Sequence, residues 1–301
     1  MTGSPLDHVP EHIEHRVQTP DGRTLAVAEW GDPDGLPVLA LHGTPGSRIG
    51  WWLDPTLDIR HSIRRLTFDR AGFGESSRRP GRRIVDVVPD VVAIADALGI
   101  DQFAVAGGSG GGPHVLACAA RLPDRVLRCL CNVPLAPSNA EGLDWFAGMT
   151  DGNVTAYRAA FEGETAVRAL CERWAKEVLA QISAEQVNYL PEDFKVPDSD
   201  LDQMKKYQLQ NAAHLTMALA PGVDGWVDDI LALAGPWDFE LGDIRVPVRL
   251  DYGRDDALTP AAHGEWLAAR IPGVELFVVD AGHMDDSLLE DKNAWLAGHA
   301  A

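Results

Sequence analysis

Gly107-Gly108-Ser109-Gly110-Gly111 stands between an apolar run at 103–106 and a helical pattern that opens near Pro113. A G-x-S-x-G pattern alone says little. Its weight comes from the strand–turn–helix setting, which a nucleophile elbow requires. In such a turn the serine takes strained dihedrals, and glycines two residues to either side let strand and helix approach closely. The turn lifts the hydroxyl clear of the sheet and aims N–H groups of the next helix at the site, where acyl transfer develops negative charge. A glycine-rich turn with an incidental serine would be the plain alternative. A phosphate loop fits worse, because neither G-x-G-x-x-G nor a Walker lysine–serine pair falls here.

Outward from this turn, short β-type runs alternate with helical patterns. Strands are expected at 13–18, 24–30, 38–41, up to Phe68, 103–106 and 127–133, with helices up to Leu98 and over 113–120. That alternation implies a parallel sheet covered by helices, an α/β fold. Between residues 138 and 234 the strand signal vanishes, and helices broken at Gly152, Pro191, Pro197 and Pro221 are expected. Alternation then resumes with strands at 246–252 and 274–279. The expected organisation is a core of residues 1–137 and 235–301 with a helical cap, 138–234, inserted into it.

Other turns fall where strands end. His42-Gly43-Thr44-Pro45-Gly46 follows the run at 38–41, and the carboxyl ends of strands in open α/β sheets face the ligand crevice. The backbone N–H groups of Thr44 and Gly110 are the expected oxyanion donors, and His42 is expected to brace the turn by hydrogen bonding. Tyr252-Gly253-Arg254-Asp255-Asp256 and Ala281-Gly282-His283 end at the same edge. Each alone would be a structural residue. Together with Ser109 they suggest a nucleophile, a base (His283) and an orienting carboxylate, Asp256 or its neighbour Asp255.

With these motifs assembled, the chain resembles the α/β-hydrolase superfamily with a helical cap. The resemblance rests on His42-Gly43, Asp69-Arg70-Ala71-Gly72-Phe73-Gly74-Glu75-Ser76, the 107–111 turn, Gly253-x-x-Asp256-x-x-x-Pro260 and Gly282-His283, and it spans nearly everything but the cap. It implies a mostly parallel eight-stranded sheet, a Ser109–Asp256–His283 triad in the chain order usual for the fold, and no cofactor. The family's Gly-x-x-Asp spacing favours Asp256. Proline iminopeptidases are similar at the His-Gly turn, but usually carry glycine where this chain has Thr44 and an aromatic beside the serine where it has glycines. Gly110, lacking a side chain, would leave a wider acyl pocket. Haloalkane dehalogenases and soluble epoxide hydrolases need an aspartate at the nucleophile position, so Ser109 argues against both.

Composition bounds the rest. The chain has 301 residues, 46% hydrophobic and 24% charged, with a net charge of −19 that argues against nucleic acid or an anionic membrane as partner. No apolar run is long enough to span a bilayer, and Met1–Pro10 lacks the apolar stretch of a signal peptide, so a cytoplasmic protein is expected. Eight arginines between Arg60 and Arg83 read as a solvated flank, or else as a patch drawing an anionic substrate. Cys129 and Cys131 fit strand alternation better than a metal site, and no metal is expected. His8, His12 and His15 read as an exposed tail, and His114 as a buried structural residue. Trp51, Trp145, Phe146, His42 and Gly43 are candidate pocket residues. The expected substrate is a small, largely apolar carboxylic ester, with no partner beyond it except a homodimer mate. A peptidase like the proline iminopeptidases, a lyase or a ligand-binding protein on the same fold are the alternatives.

Overall fold

The computed structural model describes residues 4–50, 53–186 and 189–298, so Trp51 lies outside the described residues. β1 (Ile13–Gln18) and β2 (Thr24–Gly31) open the chain as an antiparallel pair. β3 (Leu36–Leu41), helix α1 (Pro55–Arg60), β4 (Ile63–Phe68), α2 (Val88–Ala97), β5 (Phe103–Gly108), α3 (Gly112–Arg121) and β6 (Val126–Asn132) follow. One eight-stranded sheet results, in the order β1-β2-β4-β3-β5-β6, then β7 (Val248–Gly253) and β8 (Glu275–Val279). β2 is antiparallel to both neighbours, and the pairs from β4 to β8 are parallel.

The central strands β3 and β5 are apolar throughout because both faces are covered. Leu39, Leu41, Val105, Cys129 and Cys131 feed the core on one face, with Val91 and Ile94 of α2 and Val115 of α3. The alternate residues Val38, Ala40, Ala104, Ala106 and Leu130 feed the other, closed by Trp295 and Leu296. This period of two puts Cys129 and Cys131 on one face. Both are buried free thiols with sulfurs 3.7 Å apart.

After β6 come α4 (Asp151–Glu162), α5 (Glu164–Ser183), α6 (Asp198–Lys206), α7 (Gln208–Leu219) and α8 (Asp224–Ala234), which form the cap. Gly152 does not break a helix, as the sequence suggested. It lies in the first turn of α4, and the break comes at Gly163, whose φ of 119° separates α4 from α5. The stripe Val167, Cys171, Trp174, Ala175 and Val178 buries one side of α5 against its neighbours, as helical spacing requires. The chain returns through β7, α9 (Ala261–Ala268), β8 and α10 (Leu289–Leu296).

Two surface expectations change. His12 and His15 are not an exposed tail: the His12 ring stacks on Trp30 at 4.4 Å, and His15 Nε2 lies 2.8 Å from Glu29. The arginine stretch is a solvated flank only in part, with Arg60 and Arg83 exposed, and it is not a free basic patch. Each of Arg60, Arg64, Arg65, Arg70, Arg78, Arg79, Arg82 and Arg83 meets a carboxylate. Arg65, Arg70 and Arg82 are buried. Asp58 and Asp86 lie seven residues from Arg65 and Arg79, but the other partners come from distant parts of the chain, which local charge counting does not register. Among the described residues no helix is long and apolar enough to cross a membrane.

Candidate active site

β5 delivers Ser109 into a turn at φ 51°, the left-handed region that a serine occupies only at a cost. The flanking glycines permit the turn by close approach. A β-carbon on Gly107 would stand 2.7 Å from Gly111 O, and one on Gly111 would stand 2.4 Å from Leu41 O. A single 3-10 turn leads into α3, with Pro113 in the first turn, where its missing N–H costs nothing. Behind the turn, burial pushes His114 down to about 3, so the ring is neutral. Its Nδ1 lies 2.9 Å from Gly110 O and donates to it.

β3 lies beside β5, with Leu41 paired to Gly107, which sets the His42-Gly43 turn against the nucleophile. A β-carbon on Gly43 would be 3.4 Å from that of Ser109. Sheet order reverses between β3 and β5, the place where open α/β sheets form their crevice. Burial holds His42 well below its ordinary range. Its Nε2 accepts the Arg70 N–H at 3.0 Å, so Nδ1 carries the proton and donates to Gly43 O at 2.7 Å. The Arg70 guanidinium donates to the carbonyls of His42 and Gly43. Thr44 Oγ1 donates to Asp229 of α8 at 2.6 Å, and Asp229 also pairs with Arg70 and Arg82. Burial works against charge on Asp229, but the two guanidiniums outweigh it and hold the carboxyl far below the usual range.

The expected wider pocket at Gly110 is not found. A β-carbon there would stand 2.2 Å from Thr44 Oγ1, so the threonine side chain already fills the volume.

At the other end of the crevice, His283 Nδ1 meets Asp256 Oδ2 at 2.8 Å. Asp256 Oδ1 accepts the N–H groups of Leu258 and Thr259, at 2.8 and 2.9 Å, and the Thr259 hydroxyl donates to Oδ2. Asp255 points to solvent. The two loops can meet because Gly253 has no side chain; a β-carbon would stand 2.1 Å from Gly282 O. Burial pulls the His283 pKa down, yet the charge and hydrogen bond of Asp256, helped by Asp200, leave it raised.

Ser109, His283, Gly43, Thr44 and Gly110 line one cavity of about 280 Å³. The cap closes it with Tyr157, Trp174, Met204, Leu215 and Trp226. Among the described residues no hydrogen bond joins Ser109 Oγ to His283, although both line this cavity. Such contacts are often long without substrate.

A family model described as the alpha/beta hydrolase fold matches residues 37–285. The chain belongs to the alpha/beta hydrolase fold family. This hydrolase-fold chain is 28% identical over 296 residues to a proline iminopeptidase of Neisseria meningitidis serogroup B, covering 85% of each. A non-heme chloroperoxidase of Streptomyces lividans is 32% identical over 135 residues, a match to 42% of this chain and 49% of that protein. Among solved structures, a hydrolase from Pseudomonas aeruginosa superposes with a TM-score of 0.66 at 22% identity, covering 94% of this chain and 95% of that one.

Not every candidate residue reaches the cavity of this hydrolase-fold chain. Trp145 and Phe146 do not line it. Trp145 is buried among Phe146, Tyr157 and His263, and its Nε1 donates to Ala136 O at 2.8 Å, so the pair pins the start of the cap to the core. His42 is likewise set behind the wall. Sequence reasoning passed over Thr259, Asp229 and Asp200. Thr259 could have been noticed through its place three residues after Asp256; the two aspartates had no local signal.

Proposed function

We propose that this protein is a serine hydrolase acting on a small, largely apolar carboxylic ester through an acyl-enzyme. The observation that carries the reading is the shared cavity: it is lined both by Ser109 on its strained turn and by His283, whose Nδ1 is held by Asp256. With Nδ1 committed, Nε2 is the free base. It takes the Ser109 proton as Oγ attacks the carbonyl carbon, and returns that proton to the departing alkoxide. Asp256 keeps the imidazole in the required tautomer and stabilises its charged form. The Thr44 and Gly110 N–H groups are the proposed oxyanion donors, each worth about 3–4 kcal/mol. Water activated by His283 then releases the acid.

The cavity wall favours an ester over a peptide. An aminopeptidase needs carboxylates for the substrate ammonium, and Asp144, Glu162 and Glu164 do not line the cavity. The carboxylates that do are engaged: Asp54 caps α1, Asp58 pairs with Arg65, and Asp285 accepts from Ser287.

The test is labelling by a fluorophosphonate together with hydrolysis of p-nitrophenyl acetate, p-nitrophenyl butyrate and a proline arylamide. Ser109→Ala and His283→Ala should abolish labelling and ester turnover. Asp256→Asn should slow turnover by about 10⁴, while Asp255→Asn should leave it unchanged. A faster arylamide than ester would replace this reading with the peptidase, and activity surviving in Ser109→Ala would remove the serine mechanism.

A further inference from the structure

Helix α6 of the cap is docked on the loop that carries His283, and the contact is made by a buried carboxylate. Asp200 Oδ2 accepts the His283 backbone N–H at 3.1 Å, and Oδ1 accepts that of Met284 at 2.8 Å. Asp200 is 1% exposed. Among the described residues it has no lysine or arginine partner, unlike the buried carboxylates of Asp58, Asp69, Asp90 and Asp229. Its surroundings are also shaped to it: a β-carbon on Gly282 would stand 2.3 Å from Asp200 Oδ1, so the residue before the histidine has to be glycine for the carboxylate to fit.

The same helix is fastened to the next part of that loop. Gln203 Nε2 donates to Asp286 Oδ1 at 3.0 Å, the Tyr207 hydroxyl donates to Asp286 Oδ2 at 2.5 Å, and Lys206 pairs with Asp286. Met204, between them in the helix, lines the cavity. A buried carboxylate without a cation is costly, and neutral acceptors would hold two loop amides more cheaply. Burial raises the Asp200 pKa above its ordinary value, opposed by the two N–H bonds and by His283; what the ionised carboxylate adds at this place is attraction to an imidazolium, and His283 is the group able to become one.

We propose that Asp200 is a positioning residue for His283: through the two backbone N–H bonds it fixes the loop bearing the base, and through its charge it favours the protonated imidazole formed during acyl transfer. The cap is then a working part of the triad, and the base is correctly seated only while α6 is docked. This rests on the serine-hydrolase reading. The charged groups that bear on His283 are Asp256 from the loop after β7 and Asp200 from α6, with Asp285 and Lys292 in the wall of the same cavity.

The test compares wild type, Asp200→Asn and Gln203→Ala in p-nitrophenyl butyrate hydrolysis and in the rate of fluorophosphonate labelling, each as a function of pH, beside thermal unfolding. Asp200→Asn keeps the shape but removes the charge and can accept only one of the two N–H bonds well. It should lower kcat by roughly 10-fold or more, with KM changed far less. It should also move the acidic limb of the profile to lower pH, because the imidazolium loses a stabilising neighbour. Gln203→Ala, which loosens the docking without touching the base, should lower kcat by a smaller factor and leave the limb in place. Wild-type kcat with an unmoved limb in a folded Asp200→Asn protein would overturn the proposal. So would a loss of activity that follows the folded fraction alone, with the limb unmoved. Dependence of the wild type on Ser109 and His283, read in the same assays, separates failure of this proposal from failure of the hydrolase reading.

Discussion

At Gly110 a β-carbon would come within 2.2 Å of Thr44 Oγ1 and 2.8 Å of Thr44 Cβ. Thr44 has little room to yield, because its hydroxyl is held by Asp229 and by the Arg70 guanidinium. The two residues therefore divide one volume between them, side chain on one and none on the other. Gly110→Ala should destabilise the fold by about 1–3 kcal/mol, the usual cost of overpacking. Adding Thr44→Gly should recover part of that loss, since the clashing atoms are then gone. Urea unfolding of the two single variants and the double variant measures the coupling. Additive effects would mean that the residues do not compete for space.

At the scale of elements, the cap reaches into the site through side chains as well as covering it. Asp229 of α8 pairs with two buried guanidiniums, those of Arg70 and Arg82, and Arg70 in turn holds the carbonyls of the His42-Gly43 turn. Asp229→Ala would leave both cations unpaired in the interior, a loss of about 3–5 kcal/mol. The variant should unfold at lower denaturant concentration, and its folded fraction should label more slowly with fluorophosphonate, because the turn next to Ser109 is no longer braced. Unchanged stability would show that the guanidiniums find other acceptors. The cap's helices could be read in the sequence from apolar spacing and prolines. The anchoring aspartates could not, because Asp229 sits 185 residues from Thr44 and Asp200 sits 83 from His283.

Across the whole molecule, four buried histidines tie stability to pH. Burial lowers His42 well below 6.5, His114 to about 3, and His214 and His263 to about 4. The unfolded chain binds these protons near pH 6.5, and the folded chain only in much stronger acid. Their contribution is thus complete above about pH 6.5 and declines as pH falls toward the folded values, by about 1.4 kcal/mol per pH unit for each histidine. His283, whose pKa is raised, works in the opposite direction. The urea midpoint should therefore be lower at about pH 5 than at about pH 7.5. An equal or higher midpoint in acid would mean that these rings take up protons within the fold.

By itself the sequence determined the alternation of strands and helices, the interruption by a helical segment, and the placing of Ser109 on a tight turn, because each of these is written in residues close together. Glycines at 107 and 111 and the apolar run before them are a local demand of the backbone. The family's spacing between Gly253 and Asp256 likewise singled out one of two adjacent aspartates, and the loop contact between Gly253 and Gly282 supplies the steric reason. Tertiary structure decided the rest. Trp145 and Phe146 carry the composition of a pocket wall, but Tyr157 and His263 make Trp145 core, and Phe146 packs edge-on against Trp145. The arginines after Arg60 carry the composition of a basic patch, but Arg64, Arg70, Arg78, Arg82 and Arg83 each meet a carboxylate brought from elsewhere in the fold. Charge and apolar area say what a side chain needs. Which group satisfies that need depends on what the folded chain brings within a few ångströms, and pairings across many tens of residues leave no trace in local order.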